Sequence, residues 1–189
     1  MFNKILKYFV RKRSEIVVSR ILSYLKKTDK IIDIGSGTGD VAKLLRSKGM
    51  NVTPVDVEDF HGVRLLETTI YDGKTLPFPD KTFDTALILM VMHHTPNPDL
   101  ILSEVSRVAN NIVVIETSFT TKLNRFWTII SDAVGNLRLE AFWDSYKTDK
   151  QWRAVFDKHG FKVVDSHSFW DKNFGLPFLH ISYFLKQKS

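Results

Sequence analysis

The sequence contains no cysteine, which excludes disulfide bonds, thiolate metal sites and cysteine nucleophiles. It also lacks a long hydrophobic run, since the longest apolar stretch, 86–92, is far shorter than the roughly 20 residues that span a bilayer. Lysines interrupt the first ten residues and no cleavage site of small residues follows, so we expect no secretory signal and a cytoplasmic location. No pair of histidines or carboxylates has the spacing of metal ligands, and we expect no metal ion.

Positive charge is concentrated at the beginning of the 189-residue chain. The formal net charge is +6, yet residues 1–30 alone carry +7 and the remainder carries −1. Apolar residues recur at helical spacing within 2–27, so we expect a basic amphipathic segment of one or two helices there, followed by a single domain at 28–189. The basic cluster at 11–13 suits an anionic membrane surface or nucleic-acid phosphates. It equally suits the solvated face of a helix that docks on the domain.

The stretch 31–40 combines a short strand, a glycine turn and the start of a helix. The isoleucines of this strand are β-branched, as is typical of a strand covered on both faces. Gly35, Gly37 and Gly39 lack a Cβ, so they allow positive φ angles and let a ligand lie against the backbone. The helix that follows offers free N–H groups and the positive end of its dipole to an anionic group. The stretch therefore predicts a site for a nucleotide-type cofactor.

The spacing of the glycines distinguishes between cofactors. A dinucleotide site requires G-x-G-x-x-G, with its third glycine one place later than Gly39, and no Walker lysine follows the turn. The stretch from Asp33 to Gly39 instead resembles motif I of the class I S-adenosylmethionine-dependent methyltransferases, which reads Asp/Glu-x-Gly-x-Gly-x-Gly after a strand. The resemblance implies that the turn holds the methionine half of S-adenosylmethionine, with Asp33 near its ammonium group.

Further matches extend this resemblance over about residues 20–187. Asp56 follows the second expected strand, where the family has an acidic residue that binds the ribose hydroxyls. Asp72 matches the position that accepts from the adenine amino group, and residues 76–84 resemble the family's Leu-Pro-Phe-Pro-Asp…Phe-Asp pattern. The cofactor-binding residues that the resemblance implies are Asp33, Gly35, Ser36, Gly37, Gly39, Asp56, Val57, Tyr71, Asp72, Gly73 and Met90.

Strand-like and helix-like segments alternate along the domain. This alternation predicts an α/β fold with a doubly wound, mostly parallel sheet, and the resemblance implies a seven-stranded, three-layer α/β/α, Rossmann-like fold with a terminal antiparallel strand. The residues after Asp56 leave little room for a crossover helix, so we expect a shortened edge of the sheet. Residues 119–146 fit no strand and predict a helical insert, and Thr148 with Gln151 forms a capping box for the next helix.

Candidate site residues follow the ends of the predicted strands. Ligands of doubly wound sheets bind at the carboxyl ends of the strands, so these residues should converge at one edge. His94, and after it His93, is the candidate general base because imidazole titrates near neutral pH; each could instead be a structural histidine. Five aromatic residues are candidates for a substrate pocket, with core packing as the alternative: Phe126, Trp127, Trp143, Phe169 and Trp170.

These features predict an S-adenosylmethionine-dependent methyltransferase that acts on a small or lipophilic acceptor. The alternative is an RNA methyltransferase anchored by its basic N-terminal segment, although the sequence has no Asn/Asp-Pro-Pro-Tyr-type motif. A third hypothesis is a non-catalytic cofactor-binding or interaction protein, which the shortened crossover keeps open. Peripheral contact with a membrane through residues 1–13 is a further expectation.

Overall fold

The computed structural model describes residues 2–59, 65–135, 145–173 and 176–188. The α-helices are α1 (Phe2–Ile21), α2 (Asp40–Ser47), α3 (Pro98–Val108), α4 (Lys122–Gly135) and α5 (Asp149–Lys158). The strands are β1 (Lys30–Ile34), β2 (Asn51–Asp56), β3 (Thr69–Ile70), β4 (Phe83–Leu89), β5 (Ala109–Ser118), β6 (Phe161–Asn173) and β7 (Leu176–Gln187). Two 3-10 turns lie at Leu22–Tyr24 and Met92–His94.

The seven strands form one sheet in the order β3-β2-β1-β4-β5-β7-β6. The five strands from β3 to β5 pair in parallel, and β7 runs antiparallel to both of its neighbours. Strand β1 lies in the middle, where Ile31 pairs with Val52 of β2 and with Thr85 of β4. The predicted fold class is therefore confirmed, including the terminal antiparallel strand, which is inserted beside the fifth.

Helices cover both faces of the sheet and divide its core into two layers. On one face Ile32 and Ile34 of β1 share a buried cluster with Trp152 and Phe156 of α5. On the other face Ile31 packs in a cluster with residues of α1 and α2. Helix α1 contributes Val17, Val18 and Ile21 to this second cluster, each at most 4% exposed. The C-terminal half of α1 thus packs on the sheet, while the division of the chain at residue 27 stays a prediction.

Several local predictions are confirmed, and one strand ends earlier than its apolar run. Strand β3 has only two residues, which agrees with the shortened edge, while residues 60–64 of the crossover lie outside the described residues. The Thr148 capping box opens α5, as predicted. Strand β4 stops at Leu89 although the apolar run continues, because Met90 adopts a positive φ of 60° and turns the chain. Helix α4 occupies part of the expected insert, and residues 136–144 lie outside the described residues.

Candidate active site

The glycine turn follows β1 and has the backbone conformation that its sequence predicts. Gly35, Gly37 and Gly39 have φ angles of 69°, 55° and 80°, in the left-handed region that favours glycine. At Gly35 a Cβ would also lie 2.5 Å from a methyl group of Val91, so the position has no room for a side chain. At Gly37 a Cβ would meet no atom within 4 Å. The turn therefore packs tightly against Val91 at Gly35 and leaves space for a ligand at Gly37.

A cavity of about 630 Å³ opens at the carboxyl edge of the sheet, by which we mean the edge where β1, β2, β4 and β5 end. This volume lies within the usual range for small-molecule sites. The predicted residues that line the cavity are Gly35, Ser36, Gly37, Asp56, Val57, Tyr71, Gly73, Met90 and His94. The predicted convergence at the strand ends thus holds for nine residues, which come from four different strand ends and the turns after them.

The carboxylate of Asp56 joins β2 to the glycine turn. Its Oδ2 accepts a hydrogen bond from the Gly37 N–H at 2.7 Å, and its Oδ1 accepts from the N–H groups of Val57 and Glu58 at 2.7 and 3.1 Å. The side chain is 7% exposed and lies on the cavity wall. Because three backbone donors fix the carboxylate, it is held in one orientation beside the turn.

Two buried oxygen atoms near the turn have no hydrogen-bond partner among the described residues. They are Ser36 Oγ, on the cavity lining, and Asp33 Oδ2, which lies beneath the turn and outside the lining. Burial of Asp33, and secondly the charge of Asp56, raises the pKa of the Asp33 carboxyl to about 7. The unpartnered Ser36 Oγ, the fixed carboxylate of Asp56 and the open space at Gly37 suit a ligand with ammonium and hydroxyl groups. The residues present therefore fit the S-adenosylmethionine that the resemblance implies.

Three of the predicted cofactor residues do not reach the cavity lining. Asp33 is buried beneath the turn, and Gly39 caps α2 with its N–H bonded to the Ser36 carbonyl. Asp72 is exposed, and its Oδ1 accepts from the N–H groups of Lys74 and Thr75, which lowers its pKa. The structure does not bring Asp72 into the cavity because this local turn holds the carboxylate outward.

The two candidate histidines occupy different environments. His94 lines the cavity, whereas His93 is 1% exposed and its Nδ1 lies 2.5 Å from Oε2 of Glu116. Glu116 is fully buried, and its Oε1 also accepts from the N–H groups of Val91 and Met92. Glu116 therefore fixes the 3-10 turn that presents His94, and the buried ring of His93 lies outside the cavity lining. Sequence analysis missed this role because Glu116 has no motif of its own.

The predicted aromatic pocket does not form around the cavity. Phe126 and Trp127 lie on α4 and are 44% and 52% exposed, and Trp170 on β6 is 59% exposed. Phe169 is buried, with the guanidinium of Arg20 over its ring. None of these four lines the cavity, and Trp143 lies outside the described residues. Core packing accounts for Phe169, and the other three described rings face solvent.

Helix α1 supplies cavity residues that sequence analysis did not assign to the site. Arg13, Ser14 and Val17 line the cavity, and Arg13 donates from its guanidinium to the thioether sulfur of Met90 at 3.1 Å. Arg13 is the only Lys or Arg among the described lining residues. The sequence marks Arg13 only as part of the basic cluster at 11–13 and not as a site residue, because the approach of α1 to the site depends on tertiary packing. The remaining unassigned lining residues are Ile34, Thr38, Asp40, Val41, Glu58, Leu89, Val91, Thr95, Pro96 and Ile101.

Among the described residues, no three His, Asp or Glu side chains cluster as metal ligands would. Likewise, none of the helices in the described ranges has the length and hydrophobicity needed to cross a bilayer.

Comparison with known proteins yields one family and several curated relatives. Residues 6–166 match a family described as a methyltransferase domain. The chain is 29% identical over 155 residues to a ubiquinone/menaquinone biosynthesis C-methyltransferase of Xanthomonas oryzae, an alignment that covers 74% of this chain and 52% of that protein. It is 30% identical over 91 residues to a phosphatidylethanolamine N-methyltransferase of Cereibacter sphaeroides, covering 42% and 44%. The chain thus spans about half the length of these two relatives.

The fold of the chain is also similar to that of solved structures. The crystal structure of a SAM-dependent methyltransferase from Methanosarcina mazei superposes with a TM-score of 0.70 over 89% of this chain and 96% of that one. The sequences are 21% identical, so this likeness concerns the fold alone.

Proposed function

The chain belongs to the family of S-adenosylmethionine-dependent methyltransferases, and we propose that it transfers a methyl group to a small lipophilic acceptor. The observation that carries the proposal is the cavity at the carboxyl edge, which joins the glycine turn to an apolar wall. The curated relatives named above act, by their names, in quinone biosynthesis and on phosphatidylethanolamine. Both names describe acceptors with long apolar parts, which supports a lipophilic acceptor here.

We assign the cofactor to the half of the cavity formed by β1, β2 and the turns after them. There Ser36 Oγ and the carboxylate of Asp56 offer polar atoms to the cofactor, beside the open space at Gly37. Tyr71 and Val57 provide apolar surface at the same wall. When bound, S-adenosylmethionine supplies an electrophilic methyl group on a positively charged sulfur.

We assign the acceptor to the apolar part of the cavity that α1, β4 and α3 line. Val17, Leu89 and Ile101 belong to this part and would exclude water from a lipophilic group. Because the methyl donor is already activated, the main task of the protein is to align the acceptor atom. Proximity and orientation of this kind contribute about 7–11 kcal/mol to lowering a barrier.

We assign the removal of a proton, where the acceptor begins protonated, to His94. Its ring lies on the cavity wall, in contact with the ring of His93 at a centroid distance of 4.1 Å. The carboxylate of Glu116 bonds the His93 ring and accepts from the N–H groups of Val91 and Met92. These bonds hold the His93 ring in place against the ring of His94. In this arrangement His94 would accept the proton at a ring nitrogen, and Glu116 would act as a positioning residue.

The test uses S-adenosylmethionine labelled in its methyl group and three acceptors: a total bacterial lipid extract, a demethylated isoprenoid quinone and RNA. We expect label in the lipid extract or the quinone, and none with Gly37→Val, which places a side chain in the open space of the turn. Label in RNA would favour the RNA methyltransferase instead. Binding of S-adenosylhomocysteine with no transfer to any of the three would favour the non-catalytic hypothesis.

A further inference from the structure

Helix α4 presents large apolar side chains to solvent. Leu123, Phe126 and Trp127 are 69%, 44% and 52% exposed, and their spacing puts them on one face of the helix. Thr128 and Ile129, on another face, are buried, so the helix packs on the protein with its more aromatic side outward. The rings of Phe126 and Trp127 meet edge to face at 5.6 Å. A cluster of this kind on a surface marks a site of interaction.

The helix that carries this apolar face begins near the carboxyl edge of the sheet, the edge at which the cavity opens. Strand β5 ends at Ser118 and α4 begins at Lys122, so only three residues separate the helix from the edge. Lys122 is exposed, and the guanidinium of Arg125 lies over the ring of Phe119 at 5.5 Å. The face therefore combines apolar and aromatic side chains with cations.

Helix α1 runs toward the same edge. Just after α1, the Tyr24 hydroxyl donates to the carboxylate of Asp165, near the beginning of β6. Within the helix, the guanidinium of Arg20 lies over the ring of Phe169, further along β6. Arg13 then reaches Met90 at the cavity. Strand β6 points in the same direction as β5, so the N-terminal part of α1 continues past the carboxyl edge. At 1.5 Å per residue, the eleven residues before Arg13 extend about 16 Å further.

The charge of this N-terminal part is entirely positive. Residues 2–12 contain Lys4, Lys7, Arg11 and Lys12 and no acidic residue, and they also carry apolar residues at helical spacing. A surface that combines cations with Trp, Phe and Leu is typical of proteins that bind the interface of an anionic bilayer. RNA would use the cations but not an aliphatic side chain as exposed as Leu123. A second copy of the chain would bring two such positive segments together.

We propose that the apolar face of α4 and residues 2–13 of α1 form a docking surface for an anionic lipid bilayer. In this arrangement Leu123, Phe126 and Trp127 enter the boundary between headgroups and acyl chains, while the cations of α1 contact acidic headgroups. The cavity then opens toward the bilayer, which delivers the acceptor. This last step rests on the proposed function, whereas the docking surface does not.

The test is flotation of the full chain with vesicles of phosphatidylcholine, alone or mixed with phosphatidylglycerol. We expect binding to the mixed vesicles and little to the neutral ones. Arg11→Gln with Lys12→Gln should weaken binding about thirtyfold, since each cation at such a surface contributes roughly fivefold. Lys26→Gln with Lys27→Gln makes the same change of charge beyond the other end of α1 and should leave binding within about threefold.

A second pair of variants tests the apolar face. Leu123→Ser with Trp127→Ser should reduce binding more than tenfold, because both side chains would lose their burial in the bilayer. Val164→Ser removes an apolar side chain that is 51% exposed in the first half of β6 and should not change binding. All seven substituted positions are exposed, so the four variants should keep their fold and their thermal shift with S-adenosylhomocysteine.

Three results would overturn the proposal. The first is failure of the unmodified chain to bind the mixed vesicles. The second is an equal loss of vesicle binding in the test variants and in their controls, and the third is self-association that Trp127→Ser abolishes. Strong salt-dependent binding to RNA without binding to vesicles would assign the surface to nucleic acid instead. Absence of any thermal shift with S-adenosylhomocysteine in the unmodified chain would refute the proposed function and leave the result with vesicles standing.

Discussion

Replacement of Asp33 by asparagine should make the stability of the protein less dependent on pH. The pKa of this carboxyl is about 7 in the folded chain, against an ordinary value of 3.8, because burial disfavours its charge and Asp56 adds repulsion. Between these two pH values the folded state holds a proton that the unfolded state has lost. The stabilisation from that proton is complete below about pH 4 and is lost as the pH rises through 7. Three pKa units correspond to about 4 kcal/mol.

The measurement is urea unfolding of the unmodified chain and of Asp33→Asn at about pH 4 and about pH 8. Asparagine cannot ionise, so the variant should gain stability relative to the unmodified chain by up to about 4 kcal/mol between these two pH values. The prediction concerns how the difference in unfolding free energy between the two proteins changes with pH. Any cost of the substitution that is equal at both pH values therefore cancels. A difference that stays constant with pH would refute the reasoning.

Asp72→Asn provides a control with the opposite sign. Hydrogen bonds from the N–H groups of Thr75 and Lys74 lower the pKa of Asp72, so its ionised form stabilises the folded chain at neutral pH. That contribution disappears as the pH falls through the lowered pKa. The Asp72→Asn variant should therefore be less stable than the unmodified chain at neutral pH and should approach it in acid.

Four further substitutions test the assignments at and around the cavity. Gly37→Val should abolish binding of S-adenosylhomocysteine in a calorimetric titration and cost about 1–3 kcal/mol of stability, because a φ of 55° strains a valine. Asp56→Ala should weaken that binding by about 1–3 kcal/mol, whereas Asp72→Ala should leave it nearly unchanged, so equal losses would contradict the placement of both side chains. Glu116→Gln should slow methyl transfer with little change in affinity for S-adenosylhomocysteine, and unchanged transfer would exclude its positioning role.

The sheet and the glycine turn could be predicted from the sequence because local rules determine them. Apolar runs and glycine spacing specify β1, the turn and α2 without reference to distant residues. The short stretch after Asp56 predicts the shortened edge of the sheet, although not that β3 has only two residues. These features depend on backbone geometry and alternation, which a single sequence displays.

The walls of the cavity could not be predicted because they depend on tertiary packing. Arg13 reaches Met90 because α1 runs across the sheet toward its carboxyl edge. Nothing in the sequence at residues 11–13 indicates the direction in which α1 runs. Nothing in the sequence distinguishes Glu116 from other strand residues, because only the fold brings its carboxylate to the 3-10 turn at Met92–His94. The exposed rings of α4 resembled pocket residues because composition does not distinguish an inward from an outward face.

Calorimetric titration of the full chain with S-adenosylhomocysteine, NAD and ATP tests the central claim most directly. The account predicts that S-adenosylhomocysteine binds at one site per chain. At a hundred times its dissociation constant it should raise the unfolding free energy by about 2.7 kcal/mol, and neither nucleotide should compete. Binding of NAD or ATP at the glycine turn, with none of S-adenosylhomocysteine, would contradict it.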